Sequence, residues 1–189
     1  MAAGESTAPW RLRRAETGDI AAIEALIAAS VRELSTGEYS PRQREQALLT
    51  AFSVDTRLIA DGTYFVAAAG SQLAGCGGWS RRKTLCGGDR HAVRDDGWLD
   101  PATEAAKIRA IFVHPRWARR GLGNQLLRAA EQAAAAAGFT RAEMGATLTG
   151  APLYRRAGYQ DLERLEIPIG AGLTLAVIRM GKTLAAQDA

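Results

Sequence analysis

Residues 108–124 read IRAIFVHPRWARRGLGN, and this stretch constrains the fold more than any other in the chain. A strand-length apolar run reaches His114-Pro115, then Arg119-Arg120-Gly121-Leu122-Gly123, and an amphipathic helix comes next. A strand must therefore feed through a tight glycine turn straight into a helix. Glycines on either side of Leu122 let backbone N–H groups approach a ligand closely at the helix start. Those groups sit at the positive end of the helix dipole. Arg119 and Arg120 add full charges just before them. The combination suits a pyrophosphate.

Periodicity places the remaining elements around this unit. Trp10–Arg14 reads as a first strand. Thr17 or Asp19 can cap the next helix, whose apolar face is Ile20, Ile23, Ile27, Val31 and Leu34, and which Gly37 ends. Ser40-Pro41 opens a second helix running to about Phe52. Asp61-Gly62 is a turn signal. Tyr64–Ala69 and Gln72–Ser80 then form a hairpin over Gly70-Ser71. Arg81–Ala106 has no period and reads as a long loop, and loops of that length are commonly functional or disordered. Lys107–Val113 is a strand. Leu122, Leu126, Leu127, Ala130, Ala133, Ala134 and Ala137 make a helical stripe whose alanines imply close packing on a sheet, and Gly138 caps it. Arg141–Leu148 is the next strand, Pro152 opens a short helix ending before Gly158, and Tyr159–Ile167 and Leu173–Lys182 are the last two strands.

The glycine turn resembles the pyrophosphate-binding motif of the GCN5-related N-acetyltransferases, which hold acetyl-coenzyme A. Gly121 and Gly123 fit the family pattern, while its first position, Arg or Gln in the family, falls on Ala118. The order β-α-α-β-β-β-α-β-α-β-β is also that family's. The resemblance implies an α/β (α+β) fold: a mixed, mostly antiparallel central sheet flanked by helices on both faces. It spans nearly the whole chain, so residues 10–183 are expected to form one acetyltransferase domain, with 1–9 and 184–189 as loose tails. Acetyl-CoA is the expected cosubstrate, contacted by Ile111, Phe112, Val113, Arg119, Arg120, Gly121, Leu122, Gly123 and Asn124. A backbone N–H of the Ile111–Val113 strand would polarise the acetyl carbonyl, as an oxyanion donor does.

A second motif lies at Thr147–Tyr159, TLTGAPLYRRAGY. Tyr154, Gly158 and Tyr159 match the family's short helix and the residues just after it. Thr147 stands where the family often has an asparagine contacting the pantetheine arm, and Gly150 replaces the usual small residue. An amine attacks a thioester and a thiolate leaves. A phenol, with an ordinary pKa of about 10, can give a proton or hydrogen bond to that sulfur, help typically worth ~10²–10⁴-fold. Tyr154 is the expected acid, against the simpler reading that it only packs between helix and sheet. Tyr159 reads as core.

An alkylamine with a pKa of ~10.4 is mostly protonated at neutral pH, so its proton must be removed. Glu143 is the first candidate base, with Glu104, Asp89, Glu33 and Glu38 behind it and removal through water as an equal alternative. Glu38, Tyr39, Trp79 and Arg81 are the expected acceptor-binding residues. The acceptor is a small-molecule amine or a protein amino group.

Composition narrows the alternatives. A net charge of +4 is too small to argue for nucleic acid. The basic cluster Arg81–Lys83 reads as solvent-facing, with attraction of an acidic acceptor as the other option. No apolar run approaches the ~20 residues of a membrane span, and MAAGESTAPW has no signal-peptide core, so a cytoplasmic protein is expected. Cys76 and Cys86 are not spaced as a redox or metal pair and read as reduced thiols, and His91 and His114 stand alone, so no metal is expected. Relatives often dimerise through their C-terminal strands, which makes a homodimer one expected assembly. A non-catalytic acyl-CoA sensor is the main alternative. A dinucleotide-binding fold fails because the third glycine of its motif would fall on Leu126.

Overall fold

The computed structural model describes residues 9–92 and 94–185. Most of both expected tails lies outside the described residues. Leu184, read as tail, is buried and its N–H bonds Thr140 O, so the folded part runs past residue 183. Among the described residues seven strands form one sheet: β1 (Arg11–Arg14), β2 (Tyr64–Ala69), β3 (Gln72–Ser80), β4 (Ala106–Val113), β5 (Arg141–Thr147), β6 (Gln160–Gly170) and β7 (Leu173–Thr183). Their spatial order is β1-β2-β3-β4-β5-β7-β6, and every neighbouring pair is antiparallel except β4–β5. The α-helices are α1 (Ile20–Leu34), α2 (Pro41–Thr50), α3 (Thr56–Ala60), α4 (Leu122–Ala136) and α5 (Ala151–Arg156).

The period-2 alternation of β2 divides the core between the two sheet faces. Tyr64 and Val66 pack with Ile23, Leu26 and Ile27 of α1. Ala67, with Ala74 of β3, packs instead with Leu122 and Leu126 of α4. Helices thus cover both faces, as the resemblance implied. The alanine stripe of α4 does pack closely: Ala130 and Ala134 are fully buried in a cluster with Ile108, Ala142 and Met144, and Ala133 and Ala137 pack against it. Trp10 sits outside β1, and its indole N–H donates to Gln125 of α4 at 2.8 Å. The helix α3 was not expected; five residues are too few to show a helical period.

Two irregularities of β4 open the sheet near its centre. Its parallel pairing with β5 is confined to Ala106↔Ala142 and Lys107↔Glu143, so beyond Lys107 that edge of β4 is free of β5. On its other edge the register steps from Cys76↔Phe112 to Gly78↔Arg109, which leaves one extra residue on β4. Ala110 takes up the bulge at φ 53°, a left-handed conformation a non-glycine residue seldom adopts. Among the described residues no helix is long and apolar enough to cross a membrane.

Candidate active site

A cleft of about 670 Å³ opens where β4 parts from β5. Ile111, Phe112 and Val113 line it, with unpaired β4 backbone available to an extended ligand, as in strand addition to a sheet edge. At one end it meets the α4 N-terminus. Gly121 has φ 85°, and a Cβ built there would meet nothing within 4 Å, so this face is open. Arg119 is also left-handed, at φ 63°. The first α4 bond runs from Gln125 N–H to Gly121 O, which leaves the N–H groups of Leu122, Gly123 and Asn124 ahead of the ladder. A Cβ at Gly123 would press on Leu153 at 3.3 Å. Arg119, Gly121, Leu122, Gly123 and Asn124 all line the cleft. Arg120 instead lies over the Trp117 ring, 5.3 Å from its centroid, and Trp117 meets Trp10 edge-on. Open donors at a helix N-terminus beside an arginine fit a pyrophosphate.

Tyr154 lines the cleft and is 8% exposed. Its hydroxyl has no hydrogen-bond partner among the described residues, and burial pushes its pKa well above the ordinary phenol value. It therefore stays protonated throughout the neutral range. Gly150 makes room for it, since a Cβ there would lie 2.9 Å from the tyrosine ring. The Thr147 hydroxyl accepts the Gly150 N–H at 3.1 Å, so it braces this turn while lining the cleft. Tyr159 is core and meets Tyr154 edge-on.

The other expected residues separate. Glu38 lines the cleft and accepts a hydrogen bond from Thr149 at 3.0 Å. Glu143 does not line it. The Glu143 carboxylate is held by Lys107 at 3.1 Å and Arg179 at 3.2 Å. Burial alone would raise its pKa, but hydrogen bonds from Arg179 and the charge of Lys107 leave it below the usual value. A carboxylate held ionised by two cations, away from the cleft, is poorly suited to act as the base. The next two residues of β5, Met144 and Gly145, do line the cleft, while the Glu143 side chain is drawn away to Lys107 and Arg179.

Trp79 and Arg81 are corrected too. Trp79 is 3% exposed and packs edge-on against Phe139 in the core. Arg81 lies over the Trp79 and Trp98 rings instead of lining the cleft. Arg82, read as solvent-facing, pairs with Asp61 at 2.8 Å. Tyr39 is buried beside the cleft but turned inward: its hydroxyl donates to Ala176 O at 2.6 Å and accepts from Leu148 N–H at 2.8 Å. Burial raises its pKa to about 12. Asp89 pairs with Arg94 and accepts from Thr56 N–H, and Glu104 accepts from Asp100 N–H.

Sequence reasoning missed Phe52, Leu85, Cys86, Leu153 and Arg156, all of which line the cleft. Leu85 and Cys86 belong to the 81–105 loop, where no period marks which residues face inward.

Residues 60–161 match the family described as Acetyltransferase (GNAT) domain. Among solved structures, a GCN5-related N-acetyltransferase from Rhodopseudomonas palustris is 21% identical, with a TM-score of 0.70 covering 96% of this chain and all of that one. The PaiA N-acetyltransferase of Thermoplasma acidophilum, in complex with coenzyme A, is 14% identical at TM-score 0.62, covering 92% and 98%. YncA from Salmonella typhimurium, with its cofactor acetyl-CoA, is 16% identical at TM-score 0.60, covering 95% and 96%. A search of curated proteins returned no match. The family match covers more than half of the chain, and the chain belongs to the GNAT acetyltransferases. It is an acyl-CoA-dependent acetyltransferase with that family's fold.

Proposed function

We propose that this chain transfers acetyl from acetyl-CoA to a primary amine by direct attack while both substrates are bound. The observation that carries this reading is the cleft itself, with open helix-N-terminal donors at one end and the free Tyr154 hydroxyl at its wall. Leu122, Gly123 and Asn124 N–H groups would take the pyrophosphate, with Arg119 adding charge. The unpaired β4 edge at Ile111–Val113 would take the pantetheine amides.

Acetyl-CoA supplies the activated acetyl thioester. The amine nitrogen bonds to the acetyl carbon as the carbon–sulfur bond breaks, and the thiolate leaves with the bonding pair. A β4 backbone N–H beside the Ala110 bulge would polarise the carbonyl oxygen. Tyr154, kept neutral by burial, would give its proton to the sulfur. The amine proton would leave through water at the rim, where Glu38 is the lining carboxylate. Neither cysteine is needed as a carrier. A partnerless hydroxyl at the cleft wall favours turnover over binding alone.

The test is release of coenzyme A thiol with a panel of primary amines. Amine-dependent release obeying ternary-complex kinetics is expected. Tight acetyl-CoA binding with no amine-dependent release would make the chain a sensor instead.

A further inference from the structure

Residues 84–91 form no helix or strand, yet they supply one wall of the cleft. They are strapped down from below. The Arg109 guanidinium donates to Thr84 O at 2.8 Å and to Gly87 O, and it pairs with Asp55 at 2.8 Å. The Arg109 and Asp55 side chains are 3% and 1% exposed. Arg94 makes a second pair with Asp55 at 2.9 Å. Gly88 N–H bonds Ala51 O, and Asp89 N–H bonds Val54 O. The strap is thus fixed both to the segment after α2 and to β4, one residue before the left-handed Ala110.

This attachment consumes the charges that would otherwise face an acceptor. Arg109 lines the cleft but spends its guanidinium on Asp55 and two carbonyls. What remains at this end is apolar: Val31 and Leu34 of α1, Phe52, Phe112 of β4, and Leu85 and Cys86 of the strap. Burial pushes the Cys86 thiol up, so it is neutral as well. Glu38 is the exposed lining carboxylate here, beside serine hydroxyls and Thr149, which donates to it, while Arg156 of α5 also lines the cleft.

Building on the acetyl-transfer reading, we propose that the acceptor is a small monoamine on an uncharged, apolar body, selected by Leu85 and Cys86 in a wall that Arg109 holds in place. One carboxylate at the rim answers one ammonium. A second charge on the acceptor, whether an amino-acid carboxylate or a further ammonium, would lose its water against this wall and gain no partner. The apolar body gains by burial against Leu85, Phe52 and Val31. The bond changes are those of acetyl transfer to nitrogen: the acceptor supplies the nucleophile, Tyr154 protonates the leaving thiolate, and the proton released by the acceptor through water restores the phenol.

The experiment compares kcat/KM for 2-phenylethylamine, spermidine and glycine on the full chain, with acetyl-CoA saturating and its binding measured separately by calorimetry. A preference for 2-phenylethylamine of about tenfold or more over each of the others is expected. Leu85→Glu should narrow or invert the preference over spermidine while the KM for acetyl-CoA stays put, an effect that mere loss of stability would not produce. Spermidine or glycine used as well as 2-phenylethylamine overturns the proposal and leaves acetyl transfer standing. Acetyl-CoA binding with turnover of none of the three overturns it as well. Absence of acetyl-CoA binding overturns the transferase reading beneath it.

Discussion

The ring of Tyr154 lies against Gly150 so closely that a Cβ on the glycine would come within 2.9 Å of it. The same Cβ would approach the Thr147 hydroxyl at 3.2 Å, so the turn after β5 and the phenol at the cleft wall are built as one unit. Gly150→Ala must displace the ring, the hydroxyl, or both. It should lower kcat while the affinity for acetyl-CoA changes little. Tyr154→Phe keeps the ring and removes only the proton; it should lower kcat by about 10²-fold or more. Steady-state kinetics of both variants check this. Unchanged kcat in Tyr154→Phe would leave Tyr154 a packing residue. Burial holds its pKa above the ordinary phenol value, so no loss of rate on the alkaline side below about pH 10 should trace to this group.

Glu143 should be dispensable for catalysis. Its carboxylate is shared between Lys107 and Arg179, so Glu143→Gln should keep kcat and lose only about 1 kcal/mol of stability, because the pair is partly solvated. The folded-state pKa is depressed. Its contribution is therefore present above the unfolded value of about 4.3 and fades as pH falls through the folded one. Thermal melts of wild type and Glu143→Gln should converge on acidification, and a kcat collapse in the variant at neutral pH would restore Glu143 as a base.

Tyr39 should behave as a brace. Removing its hydroxyl leaves the Leu148 N–H without its partner, so Tyr39→Phe should cost ~1–3 kcal/mol. Acceptor KM should be unaffected, and denaturant unfolding with kinetics on the same sample separates the two effects.

The thiols should be slow and inessential. Cys76 is fully buried, with its pKa raised to about 12 by burial, and it accepts a hydrogen bond from Tyr64. Cys86 is raised by burial as well, but it lines the cleft. Iodoacetamide at neutral pH should spare Cys76 in the native protein and label Cys86 slowly, and acetyl-CoA should slow it further. Cys86→Ser should retain amine-dependent turnover; an acetylated Cys86 trapped during the reaction would contradict direct transfer.

Where local pattern carries the structure, the sequence was readable. The β2–β3 hairpin is legible from a Gly-Ser turn between apolar runs, and the start of α4 from Gly121 and Gly123, whose conformation and close contact only glycine meets easily. Tyr154 could be singled out because its neighbours share a family pattern. The acceptor end was not legible in the same way. Trp79 lies near the end of the strand beside β4 and Tyr39 follows the lining Glu38, but both side chains turn into the core. Leu85 and Cys86 were hidden because an aperiodic loop gives no inward-facing phase. The Asp55–Arg109 pair joins residues 54 positions apart, a long-range contact with no local signature. The bulge at Ala110 is similarly silent, since alanine gives no hint of a left-handed backbone.

The most direct measurement is calorimetric titration of acetyl-CoA into wild type, Gly121→Asn and Gly121→Glu. Asparagine tolerates the left-handed φ of 85° and fills open space, so it controls for backbone strain. Glutamate sets an anion where the pyrophosphate should lie. Tight binding by wild type, largely kept in Gly121→Asn and lost in a folded Gly121→Glu, is the expected result. No binding by wild type, or equal binding by all three, would contradict the assignment of the cosubstrate to this turn.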